Sequence, residues 1–586
     1  MRSFLPALVV AGTLGVQAQK FDFVIAGAGT AGLVLAGRLS EDPKINVAVI
    51  EPGPDVRDNA DVQSLNFSFS NFNTSINWVY NTIPQPQLNG RTLSYRAGKA
   101  VGGTSIVNGW VYVRGDKAQY DAWETLGNPG WNWNTVFPYA KKGEHFEVPT
   151  LAQKAALATY DPAAHGFTGP LAVSFPFDIS NSSYASKASK TYASLGLAPI
   201  KDLNGGAMHG TSLAPLSVDR DGGGNGRRAS SASAYYQPVD GRKNLKVLTG
   251  TVKRIVWKNG GGKDAVADGV EYFDPSGKLV TLQVKKDVIL SASAYRNPLI
   301  LEASGVGNPA ILSKLGVQTI VPLPGVGENM QDHTALGTAY QTRAKITGRT
   351  ILAAMPTAAD VLGANFSSVA ASTLASLPLW AQQASNYTNG AVSAAAFLRR
   401  FTVQHDLIFR KNVTIAELFP TNAVTQLVPQ LWITTAFSWG SVHLGSVDRI
   451  NEPVIDSGLL RFEVDYQLLT GATKFSRRAY HSAPLTDIVG AETTPGDAVL
   501  PVEAGEEAYK VFLRQNAANA IHVVGSCAML PKELGGVVDS RVKVHGTKNV
   551  RVVDASIIPV QLTGHTAAPV YAVAEKAAAI IKADWS

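Results

Sequence analysis

Apolar positions along this chain switch between strand and helix spacings. Phe23-Val24-Ile25-Ala26 is a short continuous run suited to a buried strand, and Leu33-Val34-Leu35-Ala36-Gly37-Arg38-Leu39 reads as a helix. Val47-Ala48-Val49-Ile50 is a second strand-like run, so residues 20 to about 110 open with β-α-β. From 245 to 330 short runs recur: Lys246-Val247-Leu248, Val252 to Trp257, Val266 to Tyr272 and Val288-Ile289-Leu290-Ser291. Their alternation predicts an antiparallel meander packed on the first unit. Between about 335 and 510, Ala/Ser-rich helical stretches alternate with strand-like pieces such as Gln430-Leu431-Trp432-Ile433. Val550 to Asp554 predicts a strand and Ala568 to Lys582 an Ala-rich helix, which docks the end of the chain back onto its beginning. The segment from about 115 to 225, with Trp123, Trp131 and Trp133, ends in Asp221-Gly222-Gly223-Gly224-Asn225-Gly226, a loop suited to a domain crossing. No internal repeat is evident.

The turn between the first strand and helix is Gly27-Ala28-Gly29-Thr30-Ala31-Gly32. In that context Gly27 allows the tight turn, Gly29 lets the backbone approach a pyrophosphate, and Gly32 permits close packing of helix on strand. The amides of Thr30 and Ala31 open the helix, whose N-terminus favours phosphate charge. Glu51 ends the second strand nineteen residues after Gly32, where an acid accepts hydrogen bonds from a ribose hydroxyl. A dinucleotide-type cofactor follows from these residues.

At 586 residues, with 45% hydrophobic and 17% charged positions, the chain is long enough for two domains and an enclosed cofactor. The formal charge of +7 is spread out, with pairs such as Arg227-Arg228 and Arg399-Arg400 but no basic stripe, which argues against nucleic-acid binding. Met1-Arg2-Ser3, the apolar stretch from Phe4 to Val16 and the small-residue pattern Val16-Gln17-Ala18 read as a signal peptide over residues 1–18. No later segment offers the roughly 18 uninterrupted apolar residues of a membrane span. Sequons at Asn66, Asn73, Asn181, Asn365, Asn386 and Asn412 fit a secreted or secretory-lumen glycoprotein, whether extracellular, wall-bound or vacuolar. Cys527 is the single cysteine, so no intrachain disulfide can form, and it reads as buried packing.

Several further segments join these features. They are Gly98-Lys99-Ala100-Val101-Gly102-Gly103-Thr104-Ser105-Ile106-Val107-Asn108-Gly109, Ser293 to Pro298 with Ser304-Gly305-Val306-Gly307, Pro324 to Asp332, His522 to Met529, and Val553 to Pro559. In this order they resemble the glucose–methanol–choline (GMC) oxidoreductases, which are FAD flavoproteins; Asn297 stands where that family usually has Ser or Thr. The resemblance implies an α/β fold: a Rossmann-like FAD-binding domain from 19–114, 226–334 and 511–586, with a discontinuous substrate-binding domain of antiparallel sheet plus helices from 115–225 and 335–510. It implies that Glu51 holds the adenosine ribose and that the backbone near Val252 meets the adenine. Arg96, Gly98, Thr104, Asn108 and Gly109 would lie along the flavin and pyrophosphate, with Asp554 and Ala555 closing over the cofactor. Some members bond the flavin through a histidine just before the Asn of the first signature; here that position is Val107, which implies non-covalent FAD.

Alcohol oxidation by a flavin is eased by a base that removes the hydroxyl proton, and imidazole, with a pKa of about 6.5, suits the task. By the resemblance His522 is that base and His565, in Thr563-Gly564-His565-Thr566, is its partner. His333 and His545 are expected to be structural. The histidines do not show metal-ligand spacing, so no metal is expected. Met529 to Asp539 places the chain nearest the glucose oxidase and glucose dehydrogenase branch, yet those sugar enzymes carry an Arg four residues before the principal histidine, where this chain has Ala518. Losing that forked donor disfavours a sugar and favours an aryl or secondary-metabolite (polyketide-type) alcohol, oxidised to an aldehyde, ketone or lactone. A non-redox cyclase or dehydratase on the same fold and a glucose-type dehydrogenase are the alternatives. The expected partners are a small alcohol and an oxygen or quinone-type acceptor; the oligomeric state is not specified by the sequence.

Overall fold

The apolar runs at the start of the chain become the centre of a seven-stranded sheet. Leu245–Thr249, Val47–Glu51, Lys20–Ala26 and Leu279–Leu290 lie side by side in parallel, and Val550–Val552 adds in parallel to the last of these. This is a computed structural model; it describes residues 20–586 except 66–73, 180–183, 224–225, 261, 263, 350 and 423–425. The expected signal segment and Asn66, Asn73 and Asn181 fall outside the described residues. The central strands are buried on both faces, which is why their sequences are continuously apolar rather than alternating.

Leu279–Leu290 is the pivot of the sheet. Its last residues, Val288 to Leu290, lie between Val24–Ala26 and Val550–Val552, while its first residues pair antiparallel with Ala267–Phe273, itself antiparallel to Thr251–Trp257. The meander is therefore continuous with the parallel sheet. Lys246-Val247-Leu248, expected in that meander, instead forms the parallel edge beside Val47–Glu51. A half-exposed edge strand has the same alternation as a meander strand, so the pattern did not separate the two. On either side of residues 221–226, Val218–Asp219 and Arg227–Arg228 pair antiparallel, with Gly223 and Gly226 at φ +99° and +97°.

A second sheet of eight strands is antiparallel throughout. Its order is Val489–Thr494, Ala339–Thr342, Gln426–Ile433, Ala416–Asn422, Leu352–Met355 and Gly210–Leu213; Thr334–Gly337 also pairs with Gln426–Ile433 and with Ala518–Asn519. The short strand Ala518–Asn519 comes from a stretch expected with the first sheet. With Thr334–Gly337 it brings His522 and His333 to the junction of the two sheets.

Helix Ala567–Asp584 packs on helix Thr30–Leu39, as the C-terminal docking expectation required. Buried Glu575 accepts three hydrogen bonds from Arg38, from Nε at 2.9 and 3.1 Å and from Nη2 at 2.7 Å, and one from the Tyr235 hydroxyl at 2.9 Å. Such a charge is tolerated in an interior only when it is paired in this way. Asn365, Asn386 and Asn412 are exposed. Among the described residues, no helix is long and apolar enough to cross a membrane.

Candidate active site

The glycine loop is built from backbone contacts that leave no room for side chains. Gly27 sits at φ +103°, and a Cβ there would lie 2.5 Å from the carbonyl oxygen of Ser291; one on Gly32 would lie 2.0 Å from that of Gly27. Gly29 is different. The nearest protein atoms to a Cβ at Gly29 would be 3.8 Å away, so its open side faces a ligand space rather than a neighbour. Gly29 caps helix Thr30–Leu39 without a side-chain acceptor, leaving the first-turn amides available. The second glycine-rich stretch closes on the first, because a Cβ at Gly103 would be 2.6 Å from the Gly29 Cα.

These segments line one cavity of about 840 Å³ that also reaches both histidines. Its walls include Gly27, Gly29, Thr30, Ala31, Glu51, Arg96, Gly98, Thr104, Asn108, Gly109, Val252, Asp554, Ala555, His522 and His565. Of the cofactor residues expected from the sequence, Gly32 alone is not in the wall, consistent with its packing role beneath Gly27. Val107 also lines the cavity. The Glu51 carboxylate accepts the amides of Ala28 and Gly53, each at 3.0 Å; burial pushes its pKa up to about 7 against those two hydrogen bonds. The Asp554 carboxylate holds the amides of Ser293 and Ser556 and the side chain of Asn297, each at 2.8 Å, tying the C-terminal segment to the strand end beside the cavity.

At the other end the rings of His522 and His565 stand 4.9 Å apart, inclined at 63°. His522 follows Ile521, a β-branched residue at φ +62°, and that strained turn is held by one buried carboxylate. Asp332 accepts the amides of His522 at 2.7 Å, His333 at 2.8 Å and Ile521 at 3.2 Å. Burial raises the Asp332 pKa to about 7 in opposition to these bonds.

His333, expected to be structural, lies directly against His522. Its Nδ1 lies 3.0 Å from Nδ1 of His522, and its Nε2 lies 3.1 Å from the Leu562 carbonyl oxygen. Because that oxygen can only accept, a neutral His333 carries its proton on Nε2 and accepts from His522 through Nδ1. His522 then carries its proton on Nδ1 and keeps its Nε2 lone pair available. Burial holds the pKa of His333 down to about 3 and that of His522 well below the usual imidazole range, and neighbouring histidines add to both depressions. Placement directly after the Pro324–Asp332 segment was the signal in the sequence, but a contact between residues 189 positions apart was not legible there.

Two further residues were missed. Glu417, fully buried on strand Ala416–Asn422, has Oε1 at 3.3 Å from Nδ1 of His565 and accepts a hydrogen bond from the Trp432 indole at 3.0 Å through Oε2. The Trp432 ring lies 5.7 Å from His522 and 5.2 Å from His565, and Phe419 lies 5.8 Å from His565. A lone acid among apolar neighbours in a strand is the only trace of this arrangement in the sequence. His545, by contrast, bonds the Leu530 carbonyl oxygen and does not line the cavity. The Cys527 thiol is buried, which pushes its pKa well above the usual thiol range and leaves it unreactive. His481, Glu492 and Asp497 cluster where helix Glu463–Tyr480 ends beside strand Val489–Thr494, but Arg477 already pairs with both carboxylates.

Two family models described as GMC oxidoreductase match residues 21–335 and 436–574. The chain belongs to the GMC oxidoreductases. It is 45% identical over 582 residues to the glucose oxidase-like protein fsoC of Humicola fuscoatra, covering 98% of each chain. Among solved structures it resembles an FAD-dependent oxidoreductase from Chaetomium thermophilum, with a TM-score of 0.85 and 27% identity over 97% of this chain and 100% of that one. A fungal aryl-alcohol oxidase gives a TM-score of 0.83 and 26% identity over 97% and 99%. As a GMC oxidoreductase the protein is an FAD-dependent enzyme. The residues present fit that cofactor: an uncapped helix N-terminus, an open side at Gly29 and a carboxylate at Glu51 meet in one cavity, near the upper end of the roughly 300–1,000 Å³ usual for ligand sites.

Proposed function

We propose that the protein oxidises an aryl or secondary-metabolite-type alcohol to the corresponding aldehyde, ketone or lactone, with non-covalently held FAD taking the hydride. The observation that carries this reading is the pair of histidines in the same cavity as the glycine loop, beside the apolar side chains of Trp110, Phe419, Trp432, Ile351 and Leu216. Ala518 sits on a short strand opposite Ala335, and the next residue, Asn519, spends its amide on the Ser94 carbonyl at 3.0 Å.

In this mechanism the Nε2 lone pair of His522 accepts the hydroxyl proton. Glu417 stands 3.3 Å from His565, which donates to the hydroxyl oxygen and orients it. The aromatic walls exclude water from the reacting carbon. FAD held along Gly29, Glu51 and Asn108 would supply the hydride acceptor, and an oxygen or quinone-type carrier would reoxidise it. Val107, with no nucleophilic atom, supports non-covalent attachment. The apolar N-terminal stretch and the exposed sequons Asn365, Asn386 and Asn412 support a secretory route.

The test is anaerobic absorbance of the purified holoprotein against sugars, aryl alcohols and polyketide-type alcohols. Bleaching of the flavin by the aryl or polyketide class is the expected result. Bleaching by sugars alone overturns the substrate class, and product formation with the flavin still oxidised replaces hydride transfer by acid/base chemistry at the same histidines.

A further inference from the structure

Asn108, in the cavity wall, has the polarity of its side-chain amide fixed from behind. Its Oδ1 accepts Nη1 of Arg228 at 2.8 Å and the backbone amide of Trp110 at 3.2 Å. A guanidinium has only donors and a backbone amide has only one proton to give, so both neighbours demand the oxygen on that side. The Asn108 Nδ2 is thereby left for the cavity, and among the described residues no protein acceptor takes it.

Arg228 organises the whole segment. Nη1 also donates to the carbonyl oxygens of Asn108 at 2.9 Å and Ser105 at 3.2 Å, and Nε donates to that of Val62 at 3.0 Å. Arg228 is 4% exposed, and its guanidinium lies 4.6 Å from the centre of the Trp110 ring. Trp110 itself is held at φ +67°, a left-handed conformation that a bulky residue adopts only under constraint from its surroundings. Burial lowers the Arg228 pKa to about 9, which still leaves the group cationic at neutral pH.

We propose that Arg228 is a positioning residue of the flavin site, turning the Asn108 amide so that it donates to the bound flavin and placing a buried positive charge behind that donor. The inference rests on FAD occupying this cavity but not on the identity of the alcohol. Reduction adds negative charge to the flavin, and a fixed donor backed by a cation stabilises that charge more than it stabilises the oxidised ring. The pair therefore raises the reduction potential.

The experiment measures the midpoint potential and flavin affinity of the holoenzyme in Arg228→Met, Arg228→Lys and Asn108→Asp, with thermal melts alongside. Asn108→Asp keeps a partner for Arg228 while removing the donor to the cavity. Its potential is expected to fall by about 30 mV or more, the two-electron equivalent of a tenfold change in the redox equilibrium. Arg228→Met is expected to fall similarly, and Arg228→Lys to recover part of the difference by restoring the charge. If Arg228→Met does not fold, Asn108→Asp and Arg228→Lys decide. Wild-type potential and flavin affinity in Asn108→Asp would overturn the proposal, whatever the melting temperature. These readouts need no substrate, so a wild type that no alcohol bleaches would count against the alcohol-oxidation reading alone.

Discussion

His333 accepts a hydrogen bond from His522 across 3.0 Å, Nδ1 to Nδ1, and is itself anchored to the Leu562 carbonyl oxygen. One imidazole thus sets the tautomer of the other and directs its free nitrogen into the cavity. Replacing His333 by Gln removes a defined acceptor for the Nδ1 proton of His522. Activity is expected to drop about 10- to 100-fold, the usual cost of removing a partner that orients a functional histidine. Steady-state kcat with an unchanged flavin spectrum is the check.

His522→Ala removes the proton acceptor itself. Turnover is expected to fall by at least about 100-fold, the lower range for a positioned general base, while flavin absorbance shows FAD still bound. Near-normal turnover would remove His522 from the mechanism.

Glu417→Gln keeps the shape of the Trp432 contact but removes the charge 3.3 Å from His565. The carboxylate beside the His565 ring is lost, so kcat/KM is expected to decline about tenfold or more. Steady-state kinetics with an unchanged flavin spectrum is the check, and an unchanged kcat/KM would mean that Glu417 serves only to anchor Trp432.

A partly buried histidine away from the cavity supplies a stability prediction. His443 Nδ1 lies 2.7 Å from Glu302 and Nε2 lies 3.3 Å from Glu328. Burial alone would lower its pKa, but the two carboxylates outweigh burial and raise it to about 10. A raised histidine contributes stability that is fully present below its ordinary pKa of about 6.5 and is lost as pH climbs through the folded value. Melting temperature should therefore fall between pH 7 and 10 in the wild type and less steeply in His443→Gln, as calorimetry at matched ionic strength would show.

How far the sequence could be read depended on how local each arrangement is. Gly27, Gly29 and Gly32 act within one turn and Glu51 follows on the neighbouring strand, so their placement was legible from spacing. His522 and His565 were legible as a pair only through the resemblance to the GMC family. Glu417 and His333 were not, because their roles arise where strands from distant segments meet the histidine loops. Lys246-Val247-Leu248 was misplaced for a related reason: an edge strand of a parallel sheet and a meander strand have the same alternation.

The late strand Val550–Val552 imposes an order on the life of the chain. It completes an edge of Leu279–Leu290 that the ribosome has delivered some 260 residues earlier, and Ser291 is joined to Val553 across 262 positions. Until then the nascent chain carries an unpaired edge beside an unfinished flavin cradle, the kind of surface that invites aggregation. The cavity wall is consequently complete only after Asp554, Ala555 and His565 have been made. The yield of soluble enzyme should follow the supply of FAD in the compartment where the C-terminal strand closes.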